Sequence, residues 1–362
     1  MTHTRKSATN VGQPPTISRR DFTAAMAGVS LPAGLPPMTA LADDNRSAGS
    51  AMRASAIALL EGVGAGTRER IAFPFAAPER HRWTYVPGRR AGVFLDDMAA
   101  PERELSMALL RASLSDDGYA KATGVMKLAA VLQQTRGFGR GPGAYAFAVF
   151  GDPRSGDPWG WRVEGHHLSL HFTAIGDQVI STTPHCVCAD PTEVREGEHA
   201  GLMPLDREDY LGRDLARNLN AEQFKRALLA GNVPNDVRAG PRRATVIEPG
   251  GIAYADLSDE TQHHLILGVA EAYFLNLPRD LAKAQIARLI GEARDTLRFE
   301  WAGGFEPTDL HYYRLSGPTV SIEYSTRERA THVHTLWRDP GNDFGRAALA
   351  SAGIQALPPE GA

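Results

Sequence analysis

The histidines of this chain fall into two groups whose spacing suits chemistry. His166, His167 and His171 lie in one alternating run, and His311, His332 and His334 lie in the closing runs. Residues two apart on a strand share a face, so His332 points the same way as His334, and His167 goes with Ser169, His171 and Thr173. His166 shares the other side with Leu168, Leu170 and Phe172, which makes it the core histidine of its pair. Two imidazoles at i and i+2, joined by a third from another strand, can build a metal site with an open position. The ligands expected are His332 and His334 with His167 or His166, and with His311 in reserve. Such a metal, a divalent zinc, copper or iron ion, would polarise a carbonyl or lower the pKa of a bound water toward about 7.

The carboxylate and cations of such a site come from the neighbouring runs. If residues 326–330 close a regular hairpin, Glu323 sits opposite His334 and Ser325 opposite His332. Counting around Gly317-Pro318 puts Tyr312 and Arg314 beside Glu323 and Ser321. One sheet face then gathers His332, His334, Glu323, Tyr312 and Arg314; a one-residue bulge would exchange the last two for His311 and Tyr313. Glu323 is the expected ligand or base, and Arg314 or Arg338 the group that holds an anionic part of the substrate.

Other chemistries find no motif. There is no His-Glu-x-x-His, no Gly-x-Ser-x-Gly and no Gly-Lys-Ser/Thr phosphate loop, which disfavours zincin, hydrolase-fold esterase and P-loop roles. The glycine-rich run 137–143 leads into an apolar strand, not into a helix whose amides could hold phosphate, and reads as a connector. Cys186 and Cys188 are the only cysteines, too few for a zinc ribbon, and are best read as small buried residues.

The elements that must position these residues follow from periodicity. Helices are expected within residues 43–66, 101–113, 116–134, 206–219, 221–230, 259–275 and 278–291, where apolar residues recur at helical spacing behind capping residues such as Ser115. Short extended pieces are expected at 71–75 and 82–86, and a strand at 145–150. Two long strands joined at Gly176-Asp177 should fill 159–183, and four strands follow at 297–302, 310–315, 319–325 and 331–337. Helices segregated from hairpins predict an α+β fold, an antiparallel sheet with helices packed against it in a single domain over 43–362.

Residues 1–42 read as a twin-arginine export signal: a basic region with Arg19-Arg20, a short apolar run and small residues at Ala40-Leu41-Ala42. Its apolar run is broken by glycines and prolines and falls short of the roughly 20 residues of a spanning helix, so no stable membrane span is expected after cleavage. Removing it takes four basic groups and one acid, so the net charge of −3 becomes −6. With no basic run interleaved with aromatics, no nucleic-acid role is expected. The 43% hydrophobic content over this length suffices for one large core.

Several runs, taken in order, resemble a bacterial family catalogued only as domain of unknown function 3500. They are Trp159-Gly160-Trp161 with Gly165-His166-His167-Leu168, Gly251-Ile252-Ala253-Tyr254-Ala255-Asp256-Leu257, Phe299-Glu300-Trp301-Ala302-Gly303-Gly304, His311-Tyr312-Tyr313-Arg314, Ile322-Glu323-Tyr324 and His332-Val333-His334-Thr335-Leu336-Trp337-Arg338-Asp339. The resemblance spans about residues 55–350 and implies one domain, frequently exported, with no activity assigned. His171 and the cysteine run depart from the family's pattern. His166, His167, His311, Glu323, His332, His334 and Arg338 follow it.

The expectation is a periplasmic or secreted metal-dependent enzyme, most simply a hydrolase, acting on a small molecule or polymer that the residues do not identify. A copper- or iron-dependent oxidoreductase and a non-catalytic periplasmic ligand-binding protein are the alternatives.

Overall fold

The structure, a computed structural model, describes residues 38–137, 141–241, 247–328 and 330–355, with side chains from Ala48 onward. Residues 1–37 of the expected export signal lie outside the described residues, and residues 38–42 begin the first helix. Among the described residues no helix is long and apolar enough to cross a membrane.

Helices form where caps and periodicity agree. They are α1 (Met38–Gly62), α2 (Ala65–Ile71), α3 (Ala100–Ala112), α4 (Asp116–Arg136), α5 (Asp206–Asn218), α6 (Ala221–Ala227), α7 (Glu260–Phe274), α8 (Arg279–Arg288) and α9 (Arg346–Ser351). Ser115 caps α4 by accepting from the Gly118 amide at 3.0 Å, and Gly137 ends the helix in the left-handed region at φ 62°. Asn220 and Gln223 bond reciprocally across the first turn of α6, and Asp259 caps α7.

The strands are β1 (Ala72–Phe73), β2 (Val93–Phe94), β3 (Ala146–Phe150), β4 (Pro158–Gly165), β5 (Leu168–Ile175), β6 (Gln178–Ser181), β7 (His185–Val187), β8 (Ile252–Ala253), β9 (Arg298–Gly303), β10 (His311–Gly317), β11 (Val320–Arg327) and β12 (His332–Arg338). They form one sheet in the order β1-β3-β4-β5-β7-β12-β11-β10-β9-β8, with β2 on β3 and β6 on β5. All pairs are antiparallel except β1 with β3. The expected α+β architecture is therefore the one observed, and residues from Leu41 onward form one unit.

The two faces of the sheet differ in chemistry. One carries Trp161, Leu170, Phe172, Trp337, Ile322, Tyr324, Tyr313 and Phe299, all buried. Helices α5 and α7 pack there: Phe274 meets Trp337 at 4.8 Å, the Tyr273 and Tyr313 hydroxyls are 3.0 Å apart, and Gly212 leaves room for the Tyr313 ring. The opposite face carries Glu164, Arg162, Ser169, His171, Cys186, His332, His334, Arg338, Ser325, Glu323, Arg314 and Glu300, also buried. Irregular stretches within 81–92, 234–241 and 247–250 lie over it and supply polar partners that burial demands.

Three local expectations need correction. Residues 159–183 make three strands, because His166 and His167, not a glycine pair, turn β4 into β5. Residues 82–86 form no strand but cross the polar face. The closing hairpins are offset by two residues: Ser325 pairs with His334 and Glu323 with Leu336, while Tyr312 pairs with Ser325 and Arg314 with Glu323. The β11–β12 connection places Glu328 and Ala330 at φ 49° and 60°, which no glycine in the sequence signals. An offset of two leaves every side chain on its predicted face.

Candidate metal centre

His167 is set by an unusual backbone. It is a non-glycine residue at φ 66° in the β4–β5 connection, a conformation that persists only when its surroundings enforce it. Its amide donates to the Tyr85 carbonyl at 2.8 Å, and its own carbonyl accepts from the Cys188 amide at 2.8 Å. The ring is thereby aimed across β7 toward β12. There His332 and His334 project from one face, as their i, i+2 spacing requires.

The three imidazoles converge edge to edge. His332 Nε2 lies 3.0 Å from His167 Nε2 and 2.9 Å from His334 Nε2. His167, His332 and His334 are 3%, 9% and 1% exposed, so water cannot take over their polar atoms. Ligands about 2.05 Å from a tetrahedral ion stand about 3.3 Å apart, close to the observed separations. Burial pushes the imidazolium form of His167 far down and takes His332 to about 3; the neighbouring cations and rings add to the effect. Near pH 7 both rings are neutral, the form that binds metal.

Asp236 fixes the orientation of His334. Its Oδ1 is 2.8 Å from His334 Nδ1, so the ring donates there and turns its Nε2 edge to the cluster. The same oxygen accepts from the Tyr85 hydroxyl at 3.0 Å and the Val237 amide at 2.8 Å. Burial alone would raise the Asp236 pKa, but the His334 bond, aided by Tyr85, outweighs it and holds the carboxyl below its ordinary value. The Tyr85 ring also packs edge-on against His334 at 4.9 Å. On the far side, His332 Nδ1 faces Glu328 Oε1 at 3.5 Å and Asp190 Oδ2 at 3.8 Å.

The other expected residues take different places. His166 is half-buried, stacks on His167 at 3.7 Å between ring centres, and has its pKa lowered to about 4, chiefly by burial. It is His167, not His166, that is buried, because both belong to a turn to which strand alternation does not apply. His311 lies on the apolar face between Trp301 and Tyr324, with Nε2 3.0 Å from Asp209 Oδ1. It does not join the cluster.

Glu323, Tyr312, Arg314 and Arg338 share the polar face but tie down the covering segment. Glu323 accepts from the Arg238 amide at 2.5 Å, the Ala239 amide at 2.7 Å and the Tyr312 hydroxyl at 2.7 Å. Arg314 donates to Glu300 at 2.5 Å and to the Glu248 carbonyl at 2.7 Å, and Arg338 to Asp343 at 2.6 Å and the Ala239 carbonyl at 2.8 Å. His171 is bonded to Ser169 Oγ at 3.0 Å. Cys186 and Cys188 are buried free thiols with sulfurs 3.5 Å apart.

Sequence reasoning missed Tyr85, Asp190, Asp236 and Glu328. All four lie in turns or irregular segments, where no periodicity assigns a side chain to a face; only the need of a ligating histidine for a carboxylate partner could have prompted a search for them.

The three imidazoles form one of the groups of metal-ligand atoms that the described residues bring within 4.8 Å of one another; Asp190, Glu328 and His332 form another. A family model described as a protein of unknown function (DUF3500) matches residues 45–346. No curated protein and no solved structure matches the chain.

Proposed function

The chain belongs to DUF3500, a family of proteins of unknown function, and we propose that it is an exported metal-dependent enzyme, most simply a hydrolase. The observation that carries the proposal is the convergence of three buried imidazole nitrogens on one point, with one ring oriented by a carboxylate. Three protein ligands leave a fourth position on a tetrahedral ion for water or substrate, the arrangement of catalytic rather than structural zinc. The ion would supply a hydroxide near neutral pH and polarise the bond to be cleaved. We assign His166, half-buried and stacked on His167, to accept a proton beside the cluster, while Asp236 and Tyr85 hold the orientation of His334.

We assign Arg314, Arg338 and Glu323 no step in this chemistry, since each is committed to backbone or carboxylate partners under the covering segment. An all-nitrogen ligand set suits zinc, copper or iron, and the identity of the ion separates the hydrolytic from the redox branch.

The test is elemental mass spectrometry on the full chain purified without a histidine tag, beside a His332→Ala, His334→Ala double variant. Metal bound stoichiometrically and lost in a folded variant supports the proposal. Absence of metal from both overturns it and leaves a ligand-binding role as the alternative.

A further inference from the structure

We propose that His332 bridges two metal ions, one in the three-imidazole site and a second held by Asp190 and Glu328. The inference rests on the reading that His167, His332 and His334 bind metal, and extends it to the opposite edge of the shared ring.

An imidazole carries its two nitrogens on different edges, so one ring can serve two ions. His332 directs Nε2 toward His167 and His334, while its Nδ1 lies 3.5 Å from Glu328 Oε1 and 3.8 Å from Asp190 Oδ2. The contrast with His334 is informative. There, Nδ1 closes to 2.8 Å on Asp236, the distance of an ordinary orienting hydrogen bond. Around His332 the carboxylates stand off by more than a hydrogen bond allows, at separations natural for ligands sharing one ion.

Two of these residues carry orphaned atoms. His332 Nδ1 and Asp190 Oδ1 are both buried without a hydrogen-bond partner, in residues 9% and 5% exposed. Buried polar atoms are rarely left unpaired, and His332 Nδ1, the atom that faces both carboxylates, is left so. The pairing of Ala189 with Val333 holds Asp190 alongside His332, so the arrangement belongs to the sheet.

Charge argues in the same direction. Arg136 Nη1 lies 3.0 Å from Asp190 Oδ2 and 3.7 Å from Glu328 Oε2, one cation serving two carboxylates. Its side chain, 44% exposed at the end of α4, can swing away when a divalent ion takes its place. On binding the second ion, His332 releases its remaining N–H proton to solvent and becomes an imidazolate bonded at both nitrogens. No oxidant or reductant takes part. Two metal–nitrogen bonds and the width of the ring set the ions roughly 6 Å apart.

Copper(II) is the probe, added to the metal-free full chain and followed by elemental mass spectrometry and electron paramagnetic resonance. Two equivalents with an exchange-coupled spectrum are expected. Glu328→Gln, at an exposed position where folding is not at risk, and the isosteric Asp190→Asn should each reduce this to one equivalent with the spectrum of an isolated ion. One equivalent with an isolated spectrum in both the unaltered chain and Glu328→Gln overturns the bridge and leaves the three-imidazole site standing. One equivalent that survives His167→Ala with His334→Ala but is lost in Glu328→Gln places the ion among the carboxylates and overturns the bridge together with that site. Failure to bind copper at all overturns both.

Discussion

A histidine that must bind metal at neutral pH has to stay unprotonated, and here burial does that work. His332 titrates at about 3 and His166 at about 4, with His167 also far below its ordinary value. The same shifts govern the metal-free protein. An unfolded histidine protonates near pH 6.5, well above these folded values, so between about 6.5 and 3 the unfolded chain binds more protons than the folded one. Stability is therefore fully present above that window and declines as pH falls through it. The urea midpoint of the metal-free chain should drop steadily from pH 7.5 to pH 5, and less steeply in the His332→Ala, His334→Ala variant; a midpoint unchanged by pH would show that the rings are protonated in the fold. At this scale the sequence was readable where spacing carries geometry. His332 and His334 announce a common face by lying two apart, whereas Asp236 carries no such mark, because its contact with His334 depends on a segment with no repeat.

Strands were legible for the same reason, and their faces more so than their partners. The spacing puts the closing hairpins two residues out of register, yet Glu323, Arg314 and Tyr312 still fall on the face of the histidines, since only an odd slip reverses a strand. What the pattern could not tell is how that face would be covered. Residues 234–241 and 247–250 have no strand or helix to satisfy their amides, and the sheet supplies partners: Glu323 takes two backbone N–H groups, and Arg338 and Arg314 donate to backbone carbonyls. Glu323 is thus a latch on the segment that carries Asp236, and its influence on metal binding is indirect. Glu323→Ala strands two amides and the Tyr312 hydroxyl, each costing about 1–3 kcal/mol when buried unpaired. Urea denaturation should show a loss of at least about 3 kcal/mol, and limited proteolysis should find new cleavage within 234–241. Unchanged stability would mean that the segment is held by its arginine contacts alone.

Across the whole molecule, the sheet separates stability from chemistry: helices bury the aromatic face, and irregular chain closes over the charged one. The candidate centre draws on Tyr85, His167, Asp236 and His334, which stand far apart in sequence and meet only after β5, β7 and β12 have paired and the covering segment has been laid down. An unfolded chain holds no such site, so binding at it follows folding and adds to its stability. This gives a physical reason for the proposed twin-arginine signal at residues 1–42: a protein whose metal is chosen by a finished fold gains from acquiring it before crossing the membrane. Replacing Arg19 and Arg20 by lysine should hold the chain in the cytoplasm, folded and carrying the same ion as the exported protein. Exchanging residues 1–42 for a leader that exports unfolded chains should instead yield periplasmic protein whose metal reflects that compartment's supply. Equal metal content and identity by both routes would sever export from loading, and periplasmic appearance of the lysine variant would remove the twin-arginine assignment itself.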